Sequence, residues 1–248
     1  MKTMHLATIA SILFFSALLT ACKKSSSNNN PFGGSKIATI DYTHNGGGRH
    51  YSLFYGAYNN LDSMHWTGIG TSSGSSGYKK FSYFGTSFNI KDETFFTYTV
   101  YANSNGQLLK VLVADTLGFS YDGDQIRQMQ EYTRTATYPF YKYVTTYYYW
   151  KDGDLTSSTV DNVSTNYEYD LTKYGQPGDA IRMSEFLLYG RSYIKTIHLP
   201  SQLSKNGVWT EKYLYQFDGN GRVSQMSKIS NNLGITSDDT ATFGYTYY

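Results

Sequence analysis

Cysteine is nearly missing from this chain: of 248 residues, one, Cys22, is a cysteine. No intrachain disulfide can form, so stability must come from packing and sheet hydrogen bonds. Proline numbers 4 and charged residues make up 16%, while aromatic residues reach 17%. A chain this poor in charge and this rich in rings folds into a globular domain, which excludes disorder. The formal net charge is +2, with no dense lysine or arginine stripe, so the footprint of a nucleic-acid binder is absent. Glycine loops of the phosphate-binding type are lacking, as are capped segments of 3.6-residue apolar period beyond residue 21.

What is present begins with a leader. Lys2 supplies a positive start, the stretch Leu6 to Leu19 is mostly apolar, and residues 1–21 read as a signal peptide. The stretch is too short and too weakly flanked to be a good spanning helix. It ends in Leu19-Thr20-Ala21-Cys22, which resembles the lipobox of bacterial lipoproteins. The resemblance implies cleavage before Cys22 and acylation of its thiol and new amino terminus. Each buried CH₂ of those chains adds about 0.8 kcal/mol to the anchor. Residues 22–35 are polar and rich in Gly, Ser and Asn, a flexible tether with a reach of roughly 20 Å. In lipoproteins of the Bacteroidetes type an acidic cluster after the cysteine is associated with surface export; here Lys23 and Lys24 stand there. The expected location is the cell envelope, as an outer-membrane lipoprotein, with the periplasmic and surface faces both open. The expected partners are the membrane, through the lipid anchor, and a glycan or another envelope protein; no cofactor is implied.

Residues 36–248 read as one β-rich domain. Runs such as "KIATIDYT", "ETFFTYTVY", "YKYVTTYYYW", "AIRMSEFLLYG" and "EKYLYQFD" alternate with period two between Gly, Asn and Asp clusters. The expected fold is all-β, an antiparallel meander of consecutive hairpins forming a twisted sheet or a sandwich-like single domain. One arrangement recurs: aromatic-x-aromatic, an acidic or polar turn with Gly, then an apolar residue opening the return strand. It stands at Phe119–Ile126, Tyr147–Leu155 and Tyr213–Val223, and in looser form at Tyr167–Ile181. Asp-Gly and Asn-Gly pairs favour type I′ hairpin turns, which need positive φ.

These residues resemble the YD repeat of Rhs-type proteins, best in "SYDGDQI", "YEYD" and "YQFDGNGRV". The whole chain, from "LTAC" to "FGYTYY", is also similar to Bacteroidetes lipoproteins in which degenerate hairpins form one β-rich domain of unknown function. The resemblance implies a fold and supplies no activity.

Candidate chemistry is sparse. Gly70-Thr71-Ser72-Ser73-Gly74 has the letters of a nucleophile elbow, but a flexible loop and a strand follow where a helix is needed. His44 and His50 flank a glycine run without a completing ligand set, and Asp218-Gly219-Asn220-Gly221 reads as a turn. Glu131, Glu168, Glu185 and Glu211 fall inside predicted strands; glycoside hydrolysis would need two facing one cleft. The simpler reading has them solvent-facing and paired across strands with Lys142, Arg134, Arg182 or Lys212. No residue is assigned a catalytic or metal-binding role, and a non-enzymatic binding or structural module is expected. The alternative is a carbohydrate-binding lipoprotein in which sugar rings stack on Tyr147, Tyr149, Trp150 and Trp209. Period two puts Tyr147 and Tyr149 on one face of their strand, and Tyr148 and Trp150 on the other.

Overall fold

The computed structural model describes residues 35–56, 60–94, 97–112, 116–134, 141–231 and 239–248. The leader, Cys22 and nearly all of the tether lie outside them. Strands β1 (Ile37–His44), β2 (Gly47–Tyr55), β3 (Leu61–Gly70) and β4 (Ser76–Phe84) come first. They are followed by β5 (Ser87–Asp92), β6 (Thr97–Ala102), β7 (Leu108–Leu112) and β8 (Thr116–Asp122). Next come β9 (Gln125–Arg134), β10 (Tyr141–Lys151), β11 (Asp154–Val160) and β12 (Val163–Tyr174). One helix, α1 (Ala180–Tyr189), precedes β13 (His198–Lys205), β14 (Val208–Phe217), β15 (Val223–Ser230) and β16 (Asp239–Tyr247).

Each strand pairs antiparallel with its sequence neighbours, and β1 pairs with β16, so the sheet closes into a barrel of sixteen strands. This corrects the expected open sheet or sandwich. Hairpins leave a local signature in turns and alternation, whereas the closing contact joins Ile37 to Tyr247 and His44 to Ala241 with no local cue. Closure removes the two free edges a long meander would otherwise expose.

The alternation sorts side chains by polarity. Ile40, Leu53, Met64, Phe81, Ile90, Val100, Val111, Ile126, Leu155 and Met226 are fully or almost fully buried and point into the lumen. The opposite positions form outward rows that run from strand to strand. One passes through Thr39, Ser52, His65 and Tyr78; another through Ser120, Gln128, Tyr147, Thr159 and Ser164. Asp41, Lys80, Lys91, Lys110, Glu168 and Lys212 are exposed on this outer face. Phe54, Phe84, Leu109 and Leu214 interrupt it singly.

Sixteen strands enclose a lumen too wide for wall side chains alone to fill. The connection from β12 to β13 enters it. Gly178 packs on Val223 and Tyr245, and the backbone N–H of Ala180 donates to the Tyr215 hydroxyl at 3.4 Å. At the far end of α1, Lys79 of β4 donates to the carbonyl of Leu187 at 2.8 Å. Returning, Arg191 lies 4.9 Å from the Phe88 ring of β5, and Tyr193 lies 4.9 Å from Phe119 of β8. A segment that touches β4, β5, β8, β14, β15 and β16 together can only run along the barrel axis. Residues 175–197 are therefore a plug.

Helix α1 corrects the expectation that no helix follows the leader, and that "AIRMSEFLLYG" is a strand. Its start is capped by Asp179, whose side chain accepts the Arg182 N–H at 2.8 Å. Its end is capped by Gly190 at φ 68°, whose N–H bonds Phe186 O. Its buried residues, Ile181, Arg182, Met183, Glu185 and Phe186, mix apolar and charged side chains, while Ser184 and Leu188 are exposed.

Candidate functional site

Beside α1 the lumen keeps a chamber of about 540 Å³. Its outer wall is the inward face of β10–β16, bearing Tyr148, Ser158, Tyr167, Leu203, Glu211, Tyr213, Met226, Lys228 and Phe243. Its inner wall is the plug, bearing Ile181, Met183, Glu185, Leu187, Leu188, Tyr193 and Ile194. Antiparallel order puts the start of β1, the end of β16 and both ends of the plug at one rim of the barrel. Leu188, at the top of α1, is 56% exposed and lines the chamber, which opens toward the opposite rim. Residue 35, where the described residues begin, lies at the plug rim, so the mouth is at the end of the barrel opposite it.

Two carboxyl groups meet this space, which corrects the solvent-facing reading of Glu185 and Glu211. Glu185 Oε2 accepts from Ser192 Oγ, from Tyr193 N at 2.8 Å and from Ile194 N at 3.2 Å. Burial nevertheless raises its pKa to about 8, the three donors offsetting only part of that desolvation. Glu211 accepts from the Tyr213 hydroxyl and from Lys228 Nζ at 3.3 Å. Burial likewise raises the pKa values of Tyr148, Tyr167 and Tyr213, so their hydroxyls stay protonated. Arg182 turns to Asp179, at 3.0 Å, and Lys212 lies over the Trp209 ring at 4.5 Å. Glu168 is on the outer face, accepting from Gln202 at 2.9 Å.

The four aromatic residues singled out from sequence do not form one platform. Tyr147 and Tyr149 face outward, 49% and 51% exposed. Trp150 points inward, where its Nε1 donates to Ile126 O at 2.7 Å, and Tyr148 is buried. Trp209 is outward, in the row Tyr149–Ser157–Asn166–Ser204–Trp209. Four strand spacings separate it from Tyr149, roughly 19 Å. Near Tyr147 the outer face carries a shallow cleft of about 560 Å³ over Gly118, edged by Lys110, Gln128, Gln130 and Tyr132.

The histidines and turns are structural. His44 and His50 pair separately with Asp239 and Asp41, at 2.7 and 2.6 Å. The Asp218 carboxylate holds Asn220 N, Arg222 N and Arg222 Nε, and Gly70–Gly74 turns β3 into β4. Asp154 of the Asp-Gly-Asp turn takes His198 N at 2.9 Å and His198 Nδ1 at 2.6 Å, fastening the plug's return.

Neither the family models nor the curated proteins match this chain. Solved structures do. A porin-like protein from Bacteroides uniformis ATCC 8492 superposes with a TM-score of 0.62 at 15% identity, over 86% of this chain and 98% of that one. A porin-like protein from Bacteroides vulgatus ATCC 8482 does so at 0.60 and 13%, over 86% and 99%. The fold is porin-like. This replaces the YD-repeat resemblance, since the strands form one closed barrel shared nearly end to end with these proteins. Aromatic alternation ending in Asp-Gly is what a barrel with a ring-lined lumen and tight hairpins requires, whatever its ancestry. The cell-envelope location expected from the leader agrees with the porin-like description of both structures.

Proposed function

We propose that this porin-like barrel is a lipid-tethered, non-enzymatic binding module that stands in water at the envelope membrane. The supporting observation is the polarity of its two faces. A barrel that conducts through a membrane turns an apolar band about 25 Å tall to lipid and keeps its lumen polar. Here the lumen is plugged and largely filled by apolar side chains, and the outward rows mix Thr, Ser, Asn, Gln and Lys with scattered rings such as Tyr78, Tyr147 and Tyr149 instead of an apolar band. Each lysine held at a bilayer midplane would cost about 2–4 kcal/mol, and Lys80, Lys91, Lys110 and Lys212 all face out. Attachment then falls to Cys22, and the chamber mouth is presented to whatever the envelope space brings.

The test is alkaline carbonate extraction of membranes carrying the full chain or Cys22→Ser. The variant is expected in the soluble fraction and the wild type in the pellet. A Cys22→Ser protein that resists extraction, or wild-type protein that conducts ions in a planar bilayer, refutes the reading.

A second reading, carbohydrate binding on the outer face, is favoured by Tyr147 and Tyr149 beside the Gln128 and Gln130 cleft. Glycan-array binding that disappears in Tyr147→Ala/Tyr149→Ala supports it, and absence of any signal for the wild type retires it.

A further inference from the structure

The chamber carries a chemical preference of its own. Glu185 is buried in its wall, and among the described residues it has no cationic partner: Lys228 is held by Glu211 and Arg182 by Asp179. Tyr193 on the plug, Tyr148 on β10 and Tyr167 on β12 line the same chamber. A buried carboxyl group without a cationic partner, in a chamber that also bears tyrosines, complements a cation, which gains a charge-assisted hydrogen bond. An apolar part of the lining comes from Ile181, Met183, Leu203, Met226 and Phe243, and the Glu211–Lys228 pair lies in the same wall. The volume, about 540 Å³, lies within the range of small-molecule sites.

We propose that the chamber binds a small amphipathic amine, its ammonium group seated beside Glu185 among the tyrosine rings and its apolar body against Met226 and Phe243. The inference rests on the reading of the barrel as a binding module and names the ligand class for it. Seating the cation requires Glu185 to give up its proton. Five tyrosines and Asp179 couple to Glu185 from the elements around it. Tyr121 of β8, Tyr148, Tyr167, Tyr189 and Tyr193 are pushed up by burial, and so is the Asp179 carboxyl, whose partner is Arg182. Across the chamber, Glu211 keeps Lys228.

The experiment is titration calorimetry on the full mature protein in lipid nanodiscs, with empty discs subtracted. Phenethylamine and tyramine are compared with the alcohols that replace their amino group by hydroxyl. The amines are expected to bind at least tenfold more tightly than the alcohols, releasing a proton to buffer. With the Glu185 pKa about 8, amine affinity rises about fiftyfold from pH 6 to pH 8. Glu185→Gln, which keeps shape and hydrogen-bonding capacity, removes both the preference and the pH dependence. Alcohols binding as tightly as amines, a flat pH profile, or no amine binding at all overturns the proposal. The ratio and the profile are read on wild type, so a variant that fails to fold does not blunt the test. Extraction and conductance test the barrel reading separately, so the two failures are distinguishable.

Discussion

Glu185 makes the stability of this barrel depend on pH in a direction that can be worked out. Its carboxyl group titrates near 4.5 when exposed and at about 8 in the fold, because burial disfavours the charged form. A folded pKa above the unfolded one means that the native state holds the proton more tightly. Below pH 4.5 both states are protonated and nothing is lost. As pH climbs from there toward 8 the unfolded chain ionises first, and native stability falls by up to about 1.4 kcal/mol per pH unit. Between pH 5 and pH 8 the loss attributable to this one residue is roughly 3–4 kcal/mol. Glu185→Gln removes the titration, while its amide oxygen can still accept from Ser192 Oγ and the backbone N–H groups of Tyr193 and Ile194. Urea unfolding of wild type and variant at pH 5, 6, 7 and 8, followed by tryptophan fluorescence, isolates the term. The two proteins should be close in stability at pH 5, with the variant pulling ahead by roughly 3–4 kcal/mol at pH 8. Parallel pH profiles would show that Glu185 is not desolvated by the plug, and the reasoning would fail with them.

Two further outcomes follow from the register of one strand and its turn. Tyr148→Ala, which empties a buried site in the lumen, should cost on the order of 3–5 kcal/mol, while Tyr147→Ala, one residue away on the outer face, should stay within about 0.5 kcal/mol. Equal losses in thermal unfolding would mean that the register is wrong. Gly153→Ala should destabilise by about 1–3 kcal/mol, because Gly153 sits at φ 85° and a Cβ there collides with Ile197 of the plug. The companion measurement is limited proteolysis, expected to accelerate within residues 190–197; unchanged cleavage there would uncouple the turn from the plug.

Several parts of this arrangement were legible in the residues. Asp152-Gly153 announced its hairpin, and both residues do take positive φ, 51° and 85°. Alternation in Tyr147-Tyr148-Tyr149-Trp150 divided these rings correctly into two faces, because a strand fixes side-chain direction by parity alone. Helix α1 was harder. Ile181, Met183 and Glu185 alternate well enough to imitate a strand, and Asp179 and Gly190, its capping residues, were the overlooked signal. Asp154 read as part of a turn, and nothing local connects it with His198, 44 residues away. The chamber was invisible for the same reason: Glu185 lies on the helix, Glu211 on β14, and only the plug's position inside the barrel brings them to one space.

By itself the sequence determined the leader pattern, the β-rich class, the hairpins and the two-faced strands, all of which depend on residues a few positions apart. Only the tertiary structure decided that the sheet closes on itself, that its apolar face is the inside, and that residues 175–197 enter the lumen. Parity separates two faces but cannot say which one encloses the core. That choice belongs to closure, since a ring of sixteen strands buries whichever face turns inward and must find something to fill the space it makes.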